Sequence, residues 1–141
     1  IRYVGERESA RDVMHDAFIT LFSKLESYKG EGSFEGWARR IFITASLMHL
    51  RKKDALKYAE DVQTHGNDMG YDPSVMEKID AHTLLKIVSQ MPAGFRTVFN
   101  MFAIEGYTHQ EIAKELGITE GGSRSQLSRA KIWLKEKLKN Y

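Results

Sequence analysis

Apolar residues recur at helical spacing along most of the chain. Met14, Ala17, Phe18, Leu21, Phe22 and Leu25 follow the i, i+3, i+4, i+7 pattern of an amphipathic helix. They predict a helix over about 12–26, with this stripe as its buried face and Asp12, Asp16, Ile19 and Ser23 on the other side. Lys29-Gly30-Glu31-Gly32-Ser33 ends it in a loop with two glycines. A second helix is predicted from about Ser33 to Lys53. Its middle, Ile41 to Leu50, is apolar nearly all round, so periodicity does not choose its buried face. The pattern fades between about Leu56 and Ser74, where Gly66-Asn67-Asp68-Met69-Gly70 and Asp72-Pro73 are turn signals. It returns with Leu84, Leu85, Val88 and Met91, breaks at Pro92, resumes with Phe95, Val98, Phe99 and Phe102, and closes at Gly106. The expected fold is all-α: two small helical domains at 1–55 and 79–141, joined by a flexible linker at 56–78. Phe18, Phe22, Phe95 and Phe99 are expected in the core.

The sharpest local signal lies in residues 107–139. Thr108-His109-Gln110-Glu111 is a capping box. Ile112, Ala113 and Leu116 continue that helix, with Ala113 small where another helix would cross. Gly117 suits the left-handed position past a helix end, Ile118 can plug the crossing, and Thr119 can cap the next helix. There Leu127, Ala130, Leu134 and Leu138 form the expected buried stripe, with Ser123, Arg124, Ser125, Gln126, Arg129, Lys131 and Lys135 expected outside. A capped short helix, a glycine turn and a longer basic helix make a helix-turn-helix. The first turn of the longer helix offers free backbone N–H groups to phosphate. Thr119, Glu120 and Gly121 stand there, and glycines 121 and 122 would permit a close approach. Arg124, Gln126 and Arg129 carry donors for base edges or phosphates; Arg124 and Gln126 are the candidate base readers, Lys131 and Lys135 the phosphate contacts.

Charge sharpens this picture. The net charge is only +2, but residues 36–53 hold Arg39, Arg40, Arg51, Lys52 and Lys53 and no acid. Residues 54–80 are acidic, and residues 120–141 carry six Lys/Arg against Glu120 and Glu136. Two basic segments around an acidic one fit two contacts with a polyanion. The absence of cysteine excludes disulfides and thiolate metal sites and fits a reducing cytoplasm. No apolar run is long enough to span a membrane, and Ile1 to Glu6 do not read as a signal peptide. Histidines 15, 49, 65, 82 and 109 lack metal-ligand spacing, and no nucleophile–base pattern or P-loop points to an enzyme. Neither a metal nor a cofactor is expected.

The first half narrows the reading. Its motif is Ala10-Arg11-Asp12-Val13-Met14-His15-Asp16-Ala17-Phe18, then Gly32-Ser33-Phe34-Glu35-Gly36-Trp37-Ala38-Arg39-Arg40-Ile41, then Leu50-Arg51-Lys52-Lys53. An acidic amphipathic helix suits a basic protein surface. An aromatic, basic helix suits single-stranded DNA, where rings stack on bases and cations hold phosphates. With Phe95-Arg96-Thr97-Val98-Phe99 and Ser125-Gln126-Leu127-Ser128-Arg129-Ala130 in the second half, the whole chain resembles the extracytoplasmic-function group of the sigma-70 superfamily.

The resemblance implies an alternative sigma factor. Residues 7–53 are similar to region 2, which docks on the polymerase clamp and recognises and melts the minus-ten element. Residues 79–139 are similar to region 4, whose helix-turn-helix reads the minus-thirty-five element and which meets the polymerase flap. It implies Asp12, Asp16, Ile19 and Ser23 toward the polymerase. It implies Tyr28, Lys29, Gly30, Trp37, Arg39, Arg40, Thr44, Met48, Arg51, Lys52 and Lys53 toward minus-ten DNA, with residues 28–33 lining a pocket for a flipped base. Thr108 joins the recognition helix toward the minus-thirty-five element. An anti-sigma factor is the further partner it implies. Thr44 and Met48 depart from the family's usual Asn and Asp, so minus-ten specificity is not carried over; Gly122 stands where Thr is common, and the family's first region 2 helix would precede residue 1. Trp37 fits either a core or a base-stacking ring. The competing reading is an autonomous helix-turn-helix regulator that binds duplex operator DNA.

Overall fold

A computed structural model describes residues 1–53 and 80–139. Four of the six described α-helices start where a side chain accepts from the free amides of the first turn. Helix α1 runs Arg7–Ser23, followed by a 3-10 turn at Leu25–Ser27; α2 spans Phe34–Lys52. Ser33 caps α2, its hydroxyl accepting from the Gly36 N–H at 3.0 Å. Helix α3 spans Ala81–Gln90, and Asp80 caps it by accepting from the His82 and Thr83 amides, each at 3.0 Å. Helix α4 covers Ala93–Phe99 and continues into a π-turn at Asn100–Ile104, after which Gly106 adopts φ +77°. Helices α5 (His109–Leu116) and α6 (Glu120–Leu138) complete the order, and the described residues contain no strand. The expected linker at 56–78 lies outside the described residues.

Helices α1 and α2 pack against each other, and α6 packs on α4 and α5. The buried face of α1 is Val13, Ala17 and Leu21, with Ser9. This corrects the expected stripe: Met14, Phe18, Phe22 and Leu25 are 42%, 43%, 65% and 44% exposed. The apolar band on α1 is wider than its main neighbour, so one edge of it stays uncovered. Phe18 is flanked by rings, Phe42 at 5.0 Å and Phe22 at 6.3 Å. On α2 the buried residues are Ile43, Leu47 and Leu50, which settles the face that periodicity left open.

One apolar cluster runs through both halves of the chain. Tyr3, Ile43 and Leu47 join Ile87, Val88, Met91, Val98, Phe99, Met101, Ile112, Leu127, Ala130, Leu134 and Leu138, with Phe95 half-buried against them. The seam depends on one buried cation. Arg96, 7% exposed, donates from Nε to the Tyr3 carbonyl at 2.8 Å and from Nη2 to the Val4 carbonyl at 3.2 Å. Its Nη1 donates to the Ser89 and Met91 carbonyls, each at 2.9 Å. Asn100, fully buried, donates from Nδ2 to the Arg2 carbonyl and the Arg96 carbonyl, each at 2.8 Å. Gly5 turns away at φ +83°, and a Cβ there would lie 2.7 Å from Arg96 Nη1.

Removing this guanidinium orphans buried acceptors, each costing about 1–3 kcal/mol. Arg96→Ala should therefore lose about 3 kcal/mol in urea unfolding, and Arg96→Lys should recover only part because an ammonium lacks the planar fork. The exposed control Arg7→Ala should stay within about 0.5 kcal/mol of wild type. A loss below about 1 kcal/mol for Arg96→Ala would show that the seam does not depend on it.

Candidate nucleic-acid interface

The exposed side of α2 follows from its buried side. At 3.6 residues per turn, Phe34, Trp37, Thr44, Met48 and Lys52 fall within roughly 80° of helix circumference, opposite Ile43, Leu47 and Leu50. Thr44, Met48 and Lys52 are exposed, and Trp37 is half-buried. Three rings meet at the helix start: Tyr28 to Trp37 at 5.3 Å, Tyr28 to Phe34 at 5.4 Å and Phe34 to Trp37 at 5.6 Å between centroids. The Tyr28 hydroxyl donates to the Gly32 carbonyl at 2.8 Å, closing a loop in which Lys29 and Gly30 are exposed. Phe34 is not among the residues expected toward minus-ten DNA, although its i, i+3 spacing to Trp37 is visible in the sequence.

Three cations of α2 reach across the seam, and Lys53 at its end stays within the first half. Arg39 pairs with Glu35 at 2.6 Å and lies 3.8 Å from Glu105, which also takes Arg2. Arg40 sits 3.5 Å from the Glu115 carboxylate, and the Arg51 guanidinium donates to the Glu115 carbonyl. Lys53 donates to Ser9 Oγ at 3.1 Å and lies 3.7 Å from Glu6. These groups remain largely exposed. On α1, Asp12, Asp16, Ile19 and Ser23 are all exposed and share one face, the Ser23 hydroxyl donating to the Thr20 carbonyl at 2.9 Å.

The helix-turn-helix has the local features expected of it. Thr108 and Glu111 form the capping box, Gly117 adopts φ +69°, and the Thr119 hydroxyl accepts from the Gly122 N–H at 2.9 Å. Helix α6 differs in phase. Ser123 is fully buried and Gln126 is 4% exposed, so neither lies on the exposed side where the sequence reading put them. Because α6 packs on both α4 and α5, its buried stripe is wider than its leucines show and takes in polar residues. Gly121, Arg124 and Lys135 are exposed; Ser125, Ser128, Arg129 and Lys131 are half-exposed. Arg124 pairs with Glu120 at 3.2 Å.

Ser123 is held by a residue the sequence reading passed over. His109 Nδ1 lies 2.8 Å from Ser123 Oγ, and the Phe102 ring stacks on the imidazole at 4.6 Å. Burial, then Arg124 and Lys131, push the His109 pKa down, while Glu120 acts the other way. No spacing rule exposes this pair, since the α5–α6 crossing creates it. Among the described residues no cluster of His, Cys, Asp and Glu could hold a metal, and no helix is long and apolar enough to cross a membrane.

Two exposed, cation-bearing helices opposite buried stripes, one in a helix-turn-helix, define a helical DNA-binding protein. Residues 1–56 match the family "Sigma-70 region 2", and residues 81–134 match "Sigma-70, region 4". The RNA polymerase sigma-H factor of Pseudomonas aeruginosa is 27% identical over 143 residues, covering 93% of this chain and 74% of that one. The ECF RNA polymerase sigma-E factor of Haemophilus influenzae is 25% identical over 150 residues, covering 97% and 78%. An ECF RNA polymerase sigma factor of Mycolicibacterium smegmatis is 26% identical, with 97% of this chain spanning 54% of it. In fold, the chain matches the sigma factor RpoE of Bartonella quintana, solved with the anti-sigma factor NepR, at TM-score 0.60 and 20% identity over 99% of this chain and 86% of that one. The chain belongs to the sigma-70 family, in its extracytoplasmic-function group, and is an RNA polymerase sigma factor.

The lowered His109 pKa has a stability consequence. The unfolded chain takes the proton more readily, so the fold loses stability as pH falls through the ordinary value of 6.5 toward the lowered one, and regains it as pH rises. His109→Gln should flatten the thermal-melt midpoint between about pH 7 and pH 5.5. An unchanged pH dependence would remove His109 as its source.

Proposed function

We propose that the exposed faces of α1, α2 and α6 divide promoter recognition among them. The α1 face of Asp12, Asp16, Ile19 and Ser23 docks on core RNA polymerase. The α2 face with the 28–30 loop holds the minus-ten element, its cations Arg39, Arg40, Arg51, Lys52 and Lys53 taking phosphates. The α6 face reads the minus-thirty-five element through Arg124 and Ser125, with Arg129, Lys131 and Lys135 on the backbone and Thr108, Thr119, Glu120 and Gly121 at the helix starts. Residues 1–55 and 79–141 are the corresponding functional modules. The chain adds no chemistry of its own; the polymerase supplies the reaction, in the cytoplasm, and an anti-sigma factor is the expected antagonist. The observation that carries this reading is the pair of exposed basic helix faces on a chain matching both sigma regions in order.

The test mixes the full chain with core polymerase and a promoter library. Redirected initiation is expected; selective binding of duplex DNA by the free chain, with no effect on the polymerase, would favour an autonomous regulator. Within this reading, Asp16→Arg should weaken binding to core enzyme without moving the thermal melt, since charge reversal at a rim contact acts on association. Unchanged affinity would take Asp16 out of the interface. On the other face, Arg124→Ala should cost about 1–3 kcal/mol on the preferred minus-thirty-five sequence and relax one position of the motif. Lys131→Ala should weaken all sequences alike. Site selection that finds the motif unchanged in Arg124→Ala but altered in Lys131→Ala would reverse the assignment.

A further inference from the structure

Two adjacent glycines open the last helix. Gly121 and Gly122 stand directly before Ser123 and Arg124 in the first turn of α6. A glycine in a helix costs roughly 1 kcal/mol against alanine, so this turn is soft just where the candidate base reader leaves the helix. The Thr119 hydroxyl restrains it through one amide, that of Gly122, at 2.9 Å. A second restraint comes from outside the helix. Ser123 is fully buried, and its Oγ lies 2.8 Å from His109 Nδ1 at the start of α5.

The imidazole is itself held from two directions. The capping box fixes its backbone: the Thr108 N–H donates to the Glu111 carboxylate at 2.8 Å, and the Glu111 N–H donates to Thr108 Oγ at 3.2 Å. Phe102 holds the ring, stacked at 4.6 Å with 22° between the planes, although Phe102 is 38% exposed. Phe102 rides on the π-turn that begins at Asn100, whose side chain bonds the Arg2 and Arg96 carbonyls. A continuous row of contacts thus runs from the buried hydrogen bonds of α4 through Phe102, His109 and Ser123 to the turn that carries Arg124. The imidazole serves in it as an uncharged group. Burial, with Arg124 and Lys131, lowers its pKa against the pull of Glu120. Its Nδ1 accepts from a hydroxyl in one neutral tautomer and donates in the other, so the bond needs no charge.

We propose that His109 is a positioning residue for minus-thirty-five recognition: through Ser123 it holds the glycine-rich first turn of α6, so that the Arg124 guanidinium meets its base in register. This rests on the reading of α6 as the minus-thirty-five helix with Arg124 as a base reader. A bidentate contact to a base edge needs its donors held to about 0.5 Å. Phosphate contacts carry no sequence information. Loss of the restraint therefore shows in discrimination between bases, not in the number of phosphates engaged.

The test uses holoenzyme assembled from core polymerase and the full chain. Its probes are two duplex promoter fragments that differ only at the minus-thirty-five base pair whose preference Arg124→Ala relaxes. The quantity read is the ratio of their dissociation constants, changed over preferred. His109→Phe keeps a ring against Phe102 and loses the polar atom, and Ser123→Ala loses the hydroxyl. Each should lower the ratio roughly five-fold, the worth of one neutral hydrogen bond, with the salt slope unchanged because no phosphate contact is lost. His109→Asn puts a polar atom where Nδ1 stands and should keep the ratio within about two-fold of wild type. Added to Arg124→Ala, His109→Phe should lower the ratio no further. Thermal melts set a temperature at which every variant is folded. A wild-type ratio in either His109→Phe or Ser123→Ala, even with weaker binding to both fragments, would overturn the proposal. So would a flattened salt slope, or failure of Asn to restore the ratio. If Arg124→Ala relaxes the motif while these variants keep the ratio, the minus-thirty-five reading stands and this inference falls; if Arg124→Ala leaves the motif unchanged, both fall.

Discussion

The buried guanidinium of Arg96 is the constraint on which the arrangement of the two halves depends. A charge out of water is tolerated only when its donors are satisfied. Here they are satisfied by backbone carbonyls, two from residues 3 and 4 and two from residues 89 and 91. No carboxylate takes part in these bonds, so their strength depends on holding a backbone segment in place. Burial also lowers the Arg96 pKa, which records the same cost of desolvation. The N-terminal strap is therefore drawn onto α4, Tyr3 enters the shared core, and Asn100 fixes the next carbonyl along. The π-turn falls where this happens: the Glu105 N–H reaches back to the Asn100 carbonyl at 3.0 Å. π-turns commonly mark such special sites, and this one begins at the residue whose side chain bonds the strap.

With α4 anchored, α6 is gripped on two sides, and that determines what it can offer to DNA. Ser123 and Gln126 are taken into the packing, and the His109–Ser123 contact ties the first turn of α6 to the first turn of α5. The exposed arc is narrower than the polar residues of the helix suggest. It begins with Gly121 and Arg124 near the N-terminus and ends with Lys135 near the C-terminus. A short polar arc at the front and a cation at the back fit docking by the helix start, with the later turns along the backbone.

The helix-turn-helix was legible because its signals are local. Thr108, Glu111, Gly117 and Thr119 each act on backbone groups within a few residues, so sequence order alone carries them. The buried face of α1 was not legible in the same way. Val13, Ala17 and Leu21 form one apolar row and Met14, Phe18 and Phe22 form the next, and a periodicity argument cannot choose between adjacent rows. The larger side chains drew the expectation to the row that packing leaves exposed. On α6 the failure was the reverse, since two polar residues sit on the packed side where only the neighbouring helices explain them. Arg96 was out of reach altogether. Its partners at residues 3 and 4 lie more than ninety positions away, and they are carbonyls that every residue possesses.

The contacts across the seam divide by strength, and the division bears on how the α2 face can serve DNA. Across it, Arg40 and Glu115 are 72% and 38% exposed at the side chain, whereas Arg39 lies 3.8 Å from the buried Glu105; within α2, Arg39 and Glu35 are 51% and 80% exposed. Exposed pairs of this kind contribute about 0–1 kcal/mol and weaken with salt. A phosphate can replace such a carboxylate at little cost, because the cation exchanges one anion for another near water. Arg96 and Asn100 have no comparable exchange, since removing their carbonyl partners would leave buried donors unpaired. The exposed Arg40–Glu115 and Arg39–Glu35 pairs are thus interchangeable, while the groups that join strap to α4 are not. A polyanion arriving at α2 competes with Glu35 and Glu115 for Arg39 and Arg40 without drawing on the buried hydrogen bonds that hold the fold.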